Sequence, residues 1–141
     1  MLTNETELKK FFNLSYGERA PSKEEWKALY NDNVKFIDPT QEKNGIDAYI
    51  NAQEGLIKRC DDIFLKSHSI AINKNIAFIE WTMGLKIKKL VFLYDGTTRL
   101  IFDQEGKVKE HRDYFDFCTG TFGKVPVIGS FVRWLYSRFV D

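Results

Sequence analysis

Between Ala77 and Lys88 the hydrophobicity alternates without a slip. Ala77, Ile79, Trp81, Met83, Leu85 and Ile87 are apolar, whereas Phe78, Glu80, Thr82, Gly84, Lys86 and Lys88 are mostly polar. A period of two sends successive side chains to opposite faces of an extended chain. The segment therefore reads as a long strand with one greasy and one wetted face. Such a strand needs neighbours along both edges and a cover over its odd-numbered side.

The flanking sequence supplies both. Ile63–Ile72 precedes it as a strand, and Leu90–Phe102 follows, with Asp95-Gly96 expected to form a bulge. Asp103-Gln104-Glu105-Gly106 reads as a tight turn, and Lys107–Cys118 as the last strand. Upstream the period changes to that of helices. Leu8, Phe11 and Phe12 follow Asn4 and Glu7 in a capping-box spacing. Trp26, Leu29 and Tyr30 follow the better pair Ser22 and Glu25. Gly17 and Pro21 bracket a loop between these two helices, and a third helix is expected from about Ile46 to Cys60. A short strand, Val34–Asp38, ends at Pro39, with a polar loop through Asn44-Gly45 beyond it. Helices first and strands afterwards give an α+β order and exclude a parallel βαβ sheet. The expected architecture is three N-terminal helices packed on the concave side of a strongly bent antiparallel sheet, burying the face around Trp81.

The length, 141 residues, suits one domain over 1–141. Twelve Phe, six Tyr and three Trp exceed what a minimal core needs; they suit a wide core or an apolar cavity, with a dense core as the plain alternative. Basic and acidic residues balance at 21 to 20, and no basic stripe stands out, which argues against nucleic acid. Lys86, Lys88 and Lys89 read as a solvated strand end. Cys60 and Cys118 are too few for a disulfide framework, and with His68 and His111 they fit no zinc spacing, so neither metal nor cofactor is expected. The polar start, Met1–Lys10, lacks the pattern of a signal peptide, and no apolar run approaches the roughly 20 residues of a membrane span. A cytoplasmic location is the expectation. The tail, 125–141, is an amphipathic helical extension with Phe131, Val132, Leu135, Phe139 and Val140 among Arg133 and Arg138. It could cover a pocket mouth, touch a membrane surface, or pack on the sheet or a partner. Two arginines are too few to favour the membrane.

Three positions could carry chemistry. Asp38 ends an apolar strand face before a proline and serves either as a general base in a cavity or as a turn cap. His111 and Asp113 lie two apart on a strand and so share a face about 7 Å apart, close enough to couple. Phe115 continues that face. Trp81 and Met83 suit a pocket wall, and Tyr16 and Thr98 could lend a hydroxyl to a ligand carbonyl.

The run from Phe102 to Asp116, Phe-Asp-Gln-Glu-Gly-Lys-Val-Lys-Glu-His-Arg-Asp-Tyr-Phe-Asp, resembles the C-terminal hairpin of SnoaL-like members of the nuclear transport factor 2-like superfamily. Phe36-Ile37-Asp38-Pro39 with Gly45-Ile46-Asp47-Ala48 resembles the strand–loop–helix of the same group. The resemblance implies a cone with an internal pocket and turns Asp113 inward beside His111. It implies that Asp38-Pro39 matches the base of ketosteroid isomerase, while Thr98 replaces that enzyme's oxyanion acid. Arg112–Asp116 matches the water-activating segment of limonene epoxide hydrolase, but Trp81-Thr82-Met83 stands where its Arg-x-Asp pair would fall. In polyketide cyclases of this type the counterparts of His111 and Asp113 handle the proton.

Two readings follow. One is a cofactor-independent isomerase, cyclase or hydrolase with Asp113 as base, His111 and Asp38 assisting, and Trp81, Met83, Thr98, Phe115 and Tyr16 around a small apolar cyclic ligand. The other is a non-catalytic carrier or interaction module. The resemblance also implies a homodimer through the outer sheet face, where Phe78, Thr82 and Tyr114 lie.

Overall fold

The computed structural model describes residues 1–14 and 16–140. Helix α1 (Glu5–Phe11) opens on Asn4, whose side chain accepts the Glu7 N–H. Where a loop was expected between Gly17 and Pro21, a one-turn helix α2 (Tyr16–Arg19) forms. Helix α3 (Lys23–Leu29) begins with the expected reciprocal cap. The Glu25 N–H reaches Ser22 Oγ at 3.2 Å, and the Ser22 N–H reaches Glu25 Oε2 at 2.7 Å. Removing this hydroxyl orphans an N-terminal amide, so Ser22→Ala is expected to cost about 1 kcal/mol in urea unfolding. An unchanged midpoint would show that packing alone holds α3.

Strand β1 runs Tyr30–Asp38 and β2 Gln41–Asn44, so the expected polar loop is a short hairpin strand. Helix α4 spans Ile46–Arg59, followed by β3 (Asp62–Asn73), β4 (Ile76–Ile87), β5 (Leu90–Phe102) and β6 (Val108–Phe115). The six strands form one curled, open sheet in the order β2-β1-β6-β5-β4-β3. All pairings are antiparallel except β1 with β6. The sheet is therefore mixed, because the chain leaves β1 through β2, α4 and three further strands before β6 returns beside it.

No bulge lies at Asp95-Gly96. Strands β4 and β5 pair in unbroken register from Ile76↔Ile101 to Ile87↔Leu90. The breaks fall in β1 between Tyr30 and Lys35, in β3 between Ser67 and Ile70, and near Phe102. Gly96 answers a packing demand instead. A Cβ there would come within 2.5 Å of Trp81 Cη2, so the missing side chain is the space that the indole occupies. The last strand also stops earlier than expected. Asp116 caps helix α5 (Phe117–Phe122) through the Thr119 N–H at 3.0 Å, which lifts Phe117 out of the sheet. Helix α6 (Pro126–Val140) follows and packs on α5.

The core lies on the odd-numbered side of β4. Ala77, Ile79 and Trp81 are buried there with Leu100, Val108, Trp26 and Leu8. At the far end the alternation loses its cover, and Ile87 is exposed.

Candidate functional site

Strand pairing brings the site together. Thr98 on β5 lies directly opposite Asp113 on β6, and Leu100 lies opposite His111. On the other edge of β6, Phe36 pairs with His111. Trp81 is opposite Gly96, one diagonal from Thr98, and the open space at Gly96 lets the indole cross to it. These side chains face a cavity of about 330 Å³ between the concave sheet and α4. Its wall is mainly aromatic and aliphatic. Tyr16, Met83 and Phe115 line it as expected, and Phe36, Tyr94 and Leu65 join them.

One hydrogen-bonded chain crosses the cavity wall. Trp81 Nε1–H donates to Thr98 Oγ1 at 2.7 Å, and Thr98 donates to Asp113 Oδ1 at 2.5 Å. From the other side His111 Nε2 meets the same Oδ1 at 2.9 Å. His111 Nδ1 lies 2.9 Å from the Tyr30 hydroxyl, which accepts from Tyr49 Oη–H at 3.2 Å.

Donor counting fixes the proton positions. An indole N–H can only donate, so Thr98 spends its own proton on Asp113. With Asp113 ionised, His111 must carry its proton on Nε2. A neutral ring then accepts from Tyr30 through Nδ1, and every hydroxyl proton has a place. A doubly protonated His111 would give the Tyr30 oxygen two donors and leave the Tyr30 proton without an acceptor among the described residues. The ring is held for this role: Phe36 meets it edge-on at 5.2 Å, and Tyr30 stacks on Tyr49 at 4.7 Å.

Both arms therefore point at one carboxylate oxygen. Among the described residues no donor reaches Asp113 Oδ2. The Asp113 side chain is 19% exposed and lines the cavity. The site can thus accept a proton or a hydrogen bond from a guest at a carboxylate whose other oxygen is already fixed. Burial, with a smaller push from the Asp113 charge, raises the Tyr16 phenol above its ordinary range. Burial likewise raises Tyr30 and Tyr49, so all three stay neutral.

Asp38 does different work. Its Oδ1 accepts from Thr40 N–H (2.6 Å), Thr40 Oγ1 (2.7 Å) and Gln41 N–H (3.0 Å), and its Oδ2 accepts from Gln41 Nε2 (3.0 Å). It lines the cavity, but its carboxylate is spent on closing the β1–β2 turn, and no bond joins it to His111 or Asp113. Of its two readings the geometry fits the cap. Tyr30, by contrast, was legible only as an apolar-stripe residue, and Tyr49 was not singled out. The available signal was that a buried phenol needs a polar partner, and His111 is the buried side chain able to supply one. Among the described residues no group of three His, Cys, Asp or Glu side chains converges as a metal site.

The sheet, the helical cover and the cavity define the nuclear transport factor 2-like fold. A protein from Catenulispora acidiphila with a ketosteroid isomerase-like fold, solved in complex with trimethylamine, superposes with a TM-score of 0.71 at 12% identity, over 88% of this chain and 94% of that one. A SnoaL-like polyketide cyclase from Jannaschia sp. follows at 0.67 and 14%, over 82% and 88%. An LEH-like epoxide hydrolase from M. tuberculosis gives 0.63 and 19%, over 79% and 83%. The chain belongs to the family described as "Uncharacterized conserved protein (DUF2358)", whose model matches residues 7–111. Comparison with curated proteins finds no match.

Proposed function

We propose that this chain binds a small, largely apolar cyclic molecule in the cavity and that Asp113 acts on it as a base through Oδ2. One observation carries the reading: two donor arms converge on Oδ1 of a carboxylate that lines the cavity, and among the described residues no donor reaches Oδ2. His111 and the Thr98–Trp81 pair position the carboxylate, and Tyr16, Met83 and Phe115 shape the wall. The scaffold's use in proteins described as a polyketide cyclase and an epoxide hydrolase supports small-molecule chemistry here.

The reaction best suited to this site removes a proton from carbon without opening a strong bond to oxygen. Arg59 is the lysine- or arginine-type cation among the lining residues, and its Nε is tied to Gly55 O at 2.9 Å. No hydrogen bond joins that guanidinium to Asp113, which also favours a second reading, a carrier that uses Asp113 to orient its cargo.

A generic carbon acid separates the two. Nitrobenzisoxazole is flat and apolar. Loss of its ring C–H proton to a base forms a nitrile, breaks the N–O bond and releases a coloured phenolate. The enzyme reading expects saturable turnover at neutral pH, well above that of acetate at equal concentration. Binding of the probe with no rate above acetate would leave the carrier reading, and no binding would overturn both.

A further inference from the structure

Helix α6 is attached by the wrong side for a helix that completes a core. Gly129 is its buried residue, pressed so closely on Gly123 that a Cβ would lie 2.5 Å from the Gly123 carbonyl oxygen. Arg133 Nη1 donates to that same carbonyl at 3.0 Å, and Tyr136 Oη donates to Asp116 Oδ1 at 3.2 Å. Positions 129, 133 and 136 form one stripe at helical spacing. Much of the rest of the helix is apolar and exposed, with Val127 and Phe139 each 82% exposed and Phe131 and Trp134 more than half exposed, Arg138 lying over the Trp134 ring; Val132 is half-buried. A helix with this much uncovered apolar surface leaves it for something else.

The neighbouring hairpin has the same character. Lys124 Nζ bonds Val91 O at 2.7 Å, which ties the α5–α6 corner to the β4–β5 tip. That tip exposes Leu90, Val91 and Leu93 beside exposed Lys86, Lys88 and Lys89. Charge is segregated accordingly. The segments 86–94 and 117–140 carry six of the 21 basic side chains (Lys86, Lys88, Lys89, Lys124, Arg133, Arg138) and none of the 20 acidic ones. The acids beside these segments are Asp61, which accepts the Lys88 N–H, Asp62, which pairs across from Lys86, and Asp116, which holds Tyr136.

We infer that α6 and the β4–β5 tip form a contact surface for an anionic lipid membrane. Exposed rings next to an excess of cations, Lys86, Lys88, Lys89 and Lys124 against Asp61 and Asp62 at the tip, match the interface between acyl chains and charged headgroups. The two arginines of the tail were too few to argue this alone. The three lysines of the hairpin, joined to the helix through Lys124, change the count. The contact is peripheral, since no helix among the described residues is long and apolar enough to cross a membrane. It is independent of the cavity chemistry.

The test is vesicle co-sedimentation of the full chain on phosphatidylcholine with and without phosphatidylglycerol. Trp134 fluorescence serves as a second readout, because Trp26 and Trp81 are buried and Trp134 is not. Binding is expected only with the anionic lipid, with a blue shift, and weakening as salt screens the charges. Phe131→Ser with Phe139→Ser, and separately Lys88→Glu with Lys89→Glu, should each lower vesicle affinity at least about tenfold. Both pairs replace exposed side chains, so circular dichroism should be unchanged. Equal binding to neutral vesicles, or no binding, overturns the inference. So does a lipid-free dimer that the phenylalanine pair dissolves, which would assign the surface to a second copy of this chain.

Discussion

Asp113→Asn is expected to lower turnover of a carbon-acid probe by about 10²- to 10⁴-fold, the usual worth of a positioned general base. The amide keeps the size and shape of the carboxylate, so the cavity wall stays in place. Asparagine can still accept from Thr98 and His111 through its carbonyl oxygen. Its nitrogen would then replace Oδ2, the oxygen without a donor among the described residues, and a donor with no proton affinity would stand where the proposed base was. Binding of an apolar probe should therefore survive within a few fold while the rate collapses. Steady-state kinetics beside equilibrium binding checks this split. Equal loss of rate and affinity would mean that Asp113 holds the ligand rather than acts on it.

The second large effect is alkaline. Tyr16, Tyr30 and Tyr49 are held protonated by burial above the ordinary phenol value of 10.0. Their folded pKa values are thus raised above the unfolded ones. The stability they contribute is whole below about pH 10 and is lost as pH rises past the unfolded value, because only the unfolded chain releases those protons. Each phenol costs about 1.4 kcal/mol per pH unit in that range, so three together cost about 4. Urea midpoints measured from about pH 8 to 11.5 should fall steeply above pH 10. Phenolate absorbance should show no more than three of the six tyrosines ionising before the fold is lost. Ionisation of more than three with the far-ultraviolet signal intact would show that water reaches these rings in the folded state.

Much of the frame was legible because local rules decide it. The alternation of β4, the Ser22–Glu25 cap and the Asp103–Gly106 turn each depend on residues within a few positions of one another. The β4–β5 bulge was misread because a glycine in a strand has two explanations, backbone irregularity and room for a neighbour's side chain. The neighbour, Trp81, is fifteen positions away along the chain. The end of β6 was misread because Asp116 can extend a strand or cap a helix, and the choice depends on where α5 lands.

The pairing of His111 with Asp113 follows from their spacing on a strand, whereas the ring-rich composition suited a dense core as well as a hollow one. The rest of the relay was hidden. Tyr30, Tyr49, Thr98 and Trp81 come from four separate elements, and only the curl of the sheet under α4 brings their polar atoms within bonding distance. By itself the sequence determined the strand faces and the caps, since these arise from periodicity and neighbouring backbone; the inward turn of Asp113 came from the family resemblance, because both faces of its strand are half polar. Tertiary structure alone decided which carboxylate oxygen stays open, that Asp38 closes a turn, and that α6 faces outward. Each of those outcomes depends on side chains far apart in the chain meeting at hydrogen-bond or packing range, a condition that no local pattern encodes.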